Sequence, residues 1–313
     1  MTHDPAALII TVNFRHNKCT LKFLESASRL DGFNRCNLIV VDNNSGDGSV
    51  DQIRQAVAGF HNLELLVSSQ NRGYFGGAKW ALGEYLLHHP LPDWVIVCNN
   101  DVVWNERTFL TRLLSKNQQI EPIIAPAIIS GLTGLDANPM IRTRPGWMRI
   151  VRYRILLSSY FLARLTQWLA PLIRQVRAAL IPTPPAPAGH GRAIYAPHGA
   201  VFVLGRRFFE AGGFIDDGSF LFGEELRVAE MCRNFGLPIV YAPDLKVWHE
   251  ENQTLGRSLT RETYLHQKNG FEYALKCYKA SRPKSGSASS QGIPLGTTSE
   301  HRCGYISIGD SPK

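Results

Sequence analysis

The chain has 313 residues, of which 44% are hydrophobic, and this suits one large folded domain with appendages. Its formal net charge of +8 is typical of proteins that bind phosphate-bearing ligands, anionic lipid or nucleic acid, and the charge alone does not choose among them. The six cysteines are scattered without a CxxC pair, which argues against a zinc site or a redox pair and favours a reducing cytosol.

The first hundred residues alternate between short apolar runs and segments with helical spacing. Buried strands are predicted at 7–14, 37–41, 63–68 and 94–98, with helices near 18–31 and 50–60 and after the glycine-rich sequence NRGYFGG. This alternation predicts an α/β fold with a Rossmann-like, mainly parallel sheet and helices on both faces. Because ligands bind beyond the carboxyl ends of such strands, the polar residues that follow them are candidate site residues: Asp42, Asn71, Asn99 and Asp101.

The second strand ends in VVDNNSGDGS, and its Asp42 is a candidate for contact with a nucleobase. A carboxylate at a strand end can accept a hydrogen bond from N3–H of uracil or thymine, a donor that cytosine lacks. Asp, Asn and Ser also cap helix N-termini, and for Asp42 taken alone that structural role is the commoner explanation.

The sequence NRGYFGG at 71–77 follows the third strand and leads into a helix. Its glycines, Gly73, Gly76 and Gly77, allow close approach of the backbone to a ligand and can direct N–H groups at phosphate. The spacing matches neither the P-loop nor the dinucleotide fingerprint, and a tight turn explains an isolated loop of this kind equally well.

The fourth strand ends in CNNDV, where alternation puts residues 99 and 101 on one side. Departure of a diphosphate needs a divalent ion to offset its charge, and a carboxylate can hold Mg²⁺ or Mn²⁺ while leaving positions open for phosphate oxygens. Asp101 is therefore a candidate metal ligand, with an Asn/Asp turn as the structural alternative.

The later half contains an acidic helix start, GEEL, and a histidine that follows an apolar strand. Glu224 and Glu225 either compensate the helix dipole or supply a general base that takes the proton of an attacking hydroxyl. His249 is either an ordinary core or surface histidine or a late metal ligand beside Asp101.

Residues 147–181 mix apolar residues with arginines and differ from the rest of the chain. The segment is too interrupted for a clear membrane span, and we expect a basic amphipathic helix in the membrane interface, with packed surface helices or a true span as alternatives. The sequence TPPAPAG then forms a stiff linker, and the Ser/Gly-rich residues from 280 on are expected to be disordered. The arginines are Arg149, Arg152, Arg154, Arg164, Arg174 and Arg177.

In order and spacing, these motifs resemble glycosyltransferase family 2, the inverting GT-A fold, with the rhamnosyltransferase-like branch nearest. The resemblance covers residues 7–132 and 194–256 and includes IITVNF, VVDNNSGDGS, NRGYFGGAKWAL, CNNDV, HGAVFVLGRRFFEAGGFID, GEELRVAEMCRNFG and VWHEENQT. It implies four parts: a donor-binding half at 1–132, a basic insertion and linker at 133–193, an acceptor-binding and catalytic half at 194–279, and a tail at 280–313.

The resemblance also implies residue roles. The donor-binding set comprises Val12, Asn13, Asp42, Asn71, Gly73, Gly77, Asn99 and Asp101. Gly199 and Ala200 would lie near the acceptor, and Asp101 and His249 would bind Mg²⁺ or Mn²⁺. Glu225 would be the base, with Glu224 possible. Two positions depart from the family: Asn99 replaces the first acid of the DxD motif, which narrows its role to ribose or to a neighbour of the metal, and Arg227 replaces an acid after the glutamate pair.

The expected reaction is inverting transfer of a hexosyl group from a nucleoside-diphosphate sugar. By resemblance the donor is dTDP-rhamnose, with UDP-hexoses next, and the acceptor is a saccharide or lipid-linked saccharide in cell-surface polysaccharide synthesis. The N-terminal sequence MTHDPAALIITVNF carries no secretory signal, so we expect a cytoplasmic enzyme that is peripheral on an anionic inner membrane surface.

Two other functions fit parts of the sequence. A sugar-phosphate nucleotidyltransferase would also use carboxylate-held Mg²⁺ but needs no base in the GEEL half. A non-catalytic nucleotide-sugar-binding membrane protein would accommodate the departures at Asn99 and Arg227. Nucleic-acid binding is not expected, because no such motif is present and the basic residues cluster with apolar ones.

Overall fold

The computed structural model describes residues 5–169, 191–251 and 259–281. All of the described residues belong to one compact unit. Three predictions lie outside the described residues: the TPPAPAG linker, the basic segment beyond residue 169, and the tail from residue 282 on.

The described strands form one nine-stranded sheet in the order β3-β2-β1-β4-β8-β6-β9-β5, with β7 also paired to β9. The first four strands in the chain are mutually parallel, as expected, whereas β8 runs antiparallel to β4 and β6. The sheet is therefore mixed in its second half. The strands are β1 (Ala7–Asn13), β2 (Cys36–Asp42), β3 (Leu63–Val67), β4 (Trp94–Asn99), β5 (Val102–Val103), β6 (Ile123–Ser130), β7 (Arg192–Ile194), β8 (Val201–Gly205) and β9 (Ile239–His249).

Helices cover both faces of the sheet, and those predicted before residue 100 begin and end within a few residues of their expected bounds. The helices are α1 (Asn17–Ser28), α2 (Ser49–Val57), α3 (Tyr74–Leu86), α4 (Phe109–Leu114), α5 (Trp147–Leu156), α6 (160–169 in the described part), α7 (Arg206–Glu210), α8 (Glu224–Asn234) and α9 (Arg261–Ala280).

Alternation along the central strands separates two hydrophobic cores. Ile9 belongs to the core that α1, α2 and α4 cover, and its neighbour Ile10 belongs to the core that α3 and α8 cover. Both residues are fully buried, because a parallel strand with helices on each face has no solvent side. This packing fixes the register in which the strand ends meet.

The carboxyl ends of β1, β2 and β4 bring the predicted donor-side residues together. Asn13 pairs with Asp42 across β1 and β2, and Val12 pairs with Asn99 across β1 and β4. The last residue of β9, His249, pairs with Val102, which directly follows Asp101. The long strand β9 thus carries a residue from the late half of the chain to the end of β4.

The described part of the basic segment forms two helices that pack against α9. Ile150 of α5 contacts Leu275 and Tyr278, and Ala163 of α6 contacts Tyr264. Among the described residues, no helix is both long enough and apolar enough to cross a membrane. The predicted interfacial role of this segment stays a prediction.

Candidate active site

Asp101 and His249 form a buried pair at the end of β4. Nε2 of His249 lies 3.0 Å from Oδ1 of Asp101, and each residue is less than a tenth exposed. Asn99 reaches the same imidazole, with its Nδ2 3.4 Å from Nε2. Asn100 faces the opposite way and donates to Thr20 Oγ1 at 2.9 Å. Residues 99 and 101 therefore share one side, as strand alternation predicts.

The geometry of this pair fits two ligands of one divalent ion. Adjacent ligands of an octahedral ion lie about 3.0 Å apart when its bonds are about 2.1 Å. Nδ1 of His249 is buried without a hydrogen-bond partner, and the Glu251 carboxylate lies 4.0 Å from it, where a metal-ligating histidine usually has an acceptor for its second N–H. Within the described residues no three His, Cys, Asp or Glu side chains cluster closely enough to hold an ion.

Residues 198–200 connect this pair to the acidic helix start. The ring of His198 lies edge-on to that of His249, with centroids 5.8 Å apart, and the carbonyl of Ala200 accepts from the backbone N–H of Asn99 at 2.9 Å. Between them, the backbone of Gly199 hydrogen-bonds the Glu225 carboxylate. A side chain at Gly199 would collide with that carboxylate, so the contact requires glycine.

His198 was not predicted from the sequence as a site residue. Its ring Nδ1 accepts a hydrogen bond from the backbone N–H of Ala200 at 3.1 Å. The backbone N–H of His198 donates to Asn138 Oδ1 at 2.8 Å. Burial, helped by the neighbouring His249, lowers the pKa of His198 to about 4. The available signal was its position: a polar residue just before a buried strand, in a segment assigned to the acceptor side.

Glu224 and Glu225 open α8 but have different surroundings. Glu225 is half-buried and faces Gly199, whereas Glu224 is 4% exposed and faces Arg227, with Oε1 3.6 Å from Nη2. Burial and the Glu225 charge raise the pKa of Glu224 to about 7, although Arg227 opposes this. Burial also raises the pKa of Glu225, against hydrogen bonds from the backbone N–H groups of Glu225 and Gly199 and the charge of Arg227.

Arg227, at the position where an acid was expected by resemblance, is a buried cation behind the glutamate pair. It is 1% exposed, donates to the Asp216 carbonyl at 2.5 Å, and lies 3.3 Å from the Asp216 carboxylate. Its guanidinium also lies over the Tyr273 ring, 5.4 Å from the centroid. The substitution thus replaces a second acid with a cation that offsets the charge of Glu224.

Asp42, the predicted base-contacting residue, is fully buried and accepts three internal hydrogen bonds. Its Oδ2 accepts from Asn13 Nδ2 at 2.8 Å and from Ser45 Oγ at 2.6 Å, and its Oδ1 accepts from the Ser45 N–H at 3.0 Å. In this arrangement the carboxylate ties the ends of β1 and β2 to the loop that follows β2. Its contact with a base stays a prediction.

The glycine-rich loop has the tight backbone that the sequence predicts. Asn71 Oδ1 accepts from the Gly73 N–H at 3.0 Å, and Gly73 has φ +74°, where a side chain would also collide with the carbonyl of Phe220. Gly77 packs under Val12: a Cβ at position 77 would lie 3.1 Å from Cγ2 of Val12. Glycine is therefore required at position 73, whereas a side chain at position 77 would need Val12 to move by a few tenths of an ångström.

Two residues that were not predicted hold this loop in place. Asn43 donates to the Gly73 carbonyl at 2.9 Å and accepts from the Arg72 N–H at 3.2 Å. Tyr74 donates through its hydroxyl to the Gly199 carbonyl at 3.2 Å. The donor-side loop, the Asp101–His249 pair and the glutamate pair therefore meet at residues 198–200.

Comparison with known proteins identifies the family. No curated protein matches the sequence, but the sequence model of glycosyl transferase family 2 matches residues 8–169, just over half of the chain. Among solved structures, GalNAc-T7 with UDP, GalNAc and Mn²⁺ is 13% identical with a TM-score of 0.56; the match covers 88% of this chain and 48% of GalNAc-T7. The chain thus spans about half of GalNAc-T7, and the likeness supports the predicted GT-A fold.

Two further structures are more distant in shape. The mannosyltransferase PcManGT from Pyrobaculum calidifontis, in complex with GDP-Man and Mn²⁺, is 15% identical with a TM-score of 0.49, and the match covers 92% of this chain and 77% of PcManGT. TarS 1-349 from S. aureus is 12% identical with a TM-score of 0.48, and the match covers 78% of this chain and 60% of TarS.

The raised pKa of Glu224 predicts a pH-dependent stability. In the unfolded chain this carboxyl has its ordinary pKa of 4.5, so folding takes up a proton between pH 4.5 and about 7. The stabilisation that protonated Glu224 contributes is fully present below the pKa of the unfolded chain, and it is lost as the pH rises through the pKa of the folded chain. Relative to Glu224→Gln, the natural chain should lose free energy of unfolding over this range, by at most about 1.4 kcal/mol per pH unit.

Urea unfolding of both proteins at several pH values measures the difference. Glu25→Gln serves as the control, because Glu25 is exposed on α1. Parallel stability curves for Glu224→Gln and the natural chain would show that Glu224 is ionised in the folded protein, contrary to this expectation.

Proposed function

The chain belongs to glycosyl transferase family 2 and is a glycosyltransferase that uses nucleotide-sugar donors, and we propose that it transfers the sugar with inversion through Glu225 as general base and an ion held by Asp101 and His249. The observation that supports this is the continuity of the site at residues 198–200: the ring of His198 lies against His249, and the next residue, Gly199, contacts Glu225. Glu225 and His249 must lie close together, because the acceptor hydroxyl attacks at the same carbon that the diphosphate leaves.

Glu225 suits the role of base better than Glu224 because of what surrounds each carboxylate. Glu224 is directed at Arg227 and is almost fully buried, whereas Glu225 is half-buried beside Gly199, on the side of the Asp101–His249 pair. Burial raises the pKa of Glu225, and a raised pKa makes a carboxylate a stronger base.

The proposed step is a single displacement. Glu225 takes the proton of an acceptor hydroxyl while that oxygen attacks the anomeric carbon from the face opposite the diphosphate. The bond from the anomeric carbon to the diphosphate oxygen breaks, and its electron pair leaves with the nucleoside diphosphate. The carboxylic acid then returns its proton to water, so Glu225 is restored.

Asp101 and His249 would hold Mg²⁺ or Mn²⁺, which offsets the negative charge of the departing diphosphate when bound. The pair supplies one carboxylate oxygen and one imidazole nitrogen, a donor set suited to Mn²⁺. Diphosphate oxygens and water would complete the coordination. GalNAc-T7, which has a similar fold, binds UDP and Mn²⁺ in the same structure.

The donor half of the site is proposed at residues 1–132 and the acceptor half at 194–279. On the donor side we propose Val12 and Asn13 beside the nucleotide, Asp42 at the base, Asn99 at the ribose or beside the metal, and the glycine-rich loop at the diphosphate through Asn71, Gly73 and Gly77. For the sugar, rhamnose from dTDP-rhamnose is proposed from the sequence resemblance, with UDP-hexoses next.

The acceptor is proposed to be a saccharide or lipid-linked saccharide in cell-surface polysaccharide synthesis, near Gly199 and Ala200. The surface of α5 and α6 supports a lipid-linked acceptor and an anionic inner membrane surface. Between residues 147 and 169 it has four exposed arginines and no acidic residue. Phe161 is 73% exposed and Trp168 76% exposed, as expected for side chains that enter a membrane interface. The arginines are Arg149, Arg152, Arg154 and Arg164.

Removing the base should slow the chemistry without weakening donor binding. Glu225→Gln is expected to lower kcat by about 10²–10⁴-fold, the usual contribution of general-base catalysis, because the amide cannot accept the proton. Steady-state kinetics with calorimetric donor binding measures both effects. Glu224→Gln is the matched control and should keep most of the activity; a large loss in that variant alone would move the base to Glu224.

Removing the carboxylate of the Asp101–His249 pair should abolish metal-dependent donor binding. Asp101→Ala is expected to bind UDP or dTDP equally with Mn²⁺ and with EDTA, because one of the two protein ligands is lost. Calorimetry on the natural chain and on Asp93→Ala, which removes an exposed aspartate, provides the comparison. If the natural chain binds with equal affinity in Mn²⁺ and in EDTA, the metal assignment is wrong.

The membrane surface is testable without catalysis. Each arginine near an anionic bilayer contributes about 1 kcal/mol, so the double variant Arg152→Gln, Arg154→Gln should bind phosphatidylglycerol vesicles roughly 30-fold more weakly. Phe161→Ser with Trp168→Ser should also weaken binding, whereas Leu87→Ser, an exposed apolar control on another face, should not. Co-sedimentation measures this; equal binding of all variants would rule out this surface.

A further inference from the structure

We propose that His198 donates a hydrogen bond from Nε2–H to a β-phosphate oxygen of the donor, so that it stabilises the leaving group beside the metal pair. This inference rests on the proposed function, because it places a nucleoside diphosphate at Asp101 and His249. It assigns a role to the first residue of the motif HGAVFVLGRRFFEAGGFID, which is neither the proposed base nor a proposed metal ligand.

The hydrogen bonds of His198 fix which nitrogen carries the proton. A backbone N–H can only donate, so the bond from the Ala200 N–H makes Nδ1 of His198 an acceptor. An imidazole whose Nδ1 accepts is neutral and carries its hydrogen on Nε2. Within the part of the chain that the structure describes, no hydrogen bond of that Nε2 is found, so the donor is available to a ligand.

The position of His198 selects the leaving group as its partner. Its ring lies against His249 on one side, and the next residue, Gly199, contacts the Glu225 carboxylate on the other. A donor whose diphosphate is at Asp101 and whose anomeric carbon faces Glu225 has its β-phosphate between these two points. A hydrogen bond there strengthens as charge develops on the departing oxygen.

The same tautomer argues against His198 as a third metal ligand. Metal binding through Nε2 requires a lone pair there, but the lone pair of this ring is on Nδ1 and is already engaged by Ala200. His249 differs, because its Nδ1 has no hydrogen-bond partner that fixes a lone pair there. With its hydrogen on Nδ1, the ring can offer the Nε2 lone pair to an ion beside Asp101, in place of the 3.0 Å contact between Nε2 and Oδ1 of Asp101. The two adjacent histidines therefore have separate roles: His249 would bind the ion and His198 the phosphate.

A buried loop holds His198 rigidly in this position. The side-chain oxygen of Asn138 accepts a hydrogen bond from the backbone N–H of His198. Asn138 also donates from Nδ2 to the Pro126 carbonyl at 2.8 Å, so it is anchored on β6. The loop is closed by Asp136, which accepts from the Asn138 N–H at 2.8 Å and from the Tyr241 hydroxyl at 2.5 Å. Such fixed donors contribute to catalysis because they need no reorganisation during the reaction.

The test compares di- and monophosphates in two variants. His198→Phe keeps a planar ring without a donor, and His198→Gln keeps an amide N–H near the place of Nε2. In the presence of Mn²⁺, His198→Phe should bind UDP and dTDP about ten- to hundredfold more weakly, the usual effect of losing a hydrogen bond to a charged group. UMP and dTMP should bind with unchanged affinity, and His198→Gln should recover part of the loss.

Calorimetry measures nucleotide affinity, and electron paramagnetic resonance measures Mn²⁺ binding. His88→Phe, an exposed histidine at the end of α3, is the control and should match the natural chain. Equal losses for mono- and diphosphates, or loss of Mn²⁺ binding in His198→Phe, would overturn the inference, as would unchanged diphosphate affinity. If the natural chain itself binds no nucleoside diphosphate, the proposed function fails as well, so the two failures are distinguishable.

Discussion

The short segment 198–200 is the constraint on which the rest of the site depends. It is held by a backbone hydrogen bond between Asn99, at the end of β4, and Ala200, and by the contact of Gly199 with Glu225 at the start of α8. Any residue larger than glycine at 199 would push the carboxylate away. Because the Tyr74 hydroxyl also bonds the Gly199 carbonyl, one backbone stretch sets the spacing between the donor loop, the Asp101–His249 pair and the glutamate pair.

Charge balance at the start of α8 explains how two glutamates remain side by side in a largely buried position. Two adjacent buried carboxylates repel each other, and the cost of burying charge raises the pKa of both. Arg227 limits that rise from within the same helix, and its own burial is compensated by Asp216 and by aromatic rings. The cation therefore separates the surroundings of the pair: Glu224 faces Arg227, and Glu225 faces Gly199.

The fold, and the proximity of several candidate site residues, could be predicted from the sequence because the governing signals are local. Apolar runs, turn residues and alternation placed β1–β4 and put Asn99 and Asp101 on one side, and the packed sheet has that arrangement. Residues fixed by contacts between distant segments could not be predicted. Asn43 is in a loop whose partner, Gly73, lies 30 residues away, and His198 takes its position from Asn138. The antiparallel pairing of β8 likewise depends on a non-local return of the chain.

The wide separation of Asp101 and His249 in sequence makes the site a property of the whole sheet. The two residues are 148 positions apart, and pairing of β5 with β9 brings them within 3.0 Å. A ligand that binds both must therefore stabilise the junction between the early and late strands, because it binds only when that junction is formed. The proposed donor-binding and catalytic halves therefore belong to one folded unit. The proposed membrane surface on α5 and α6 connects to the same unit through α9, the helix that packs against both.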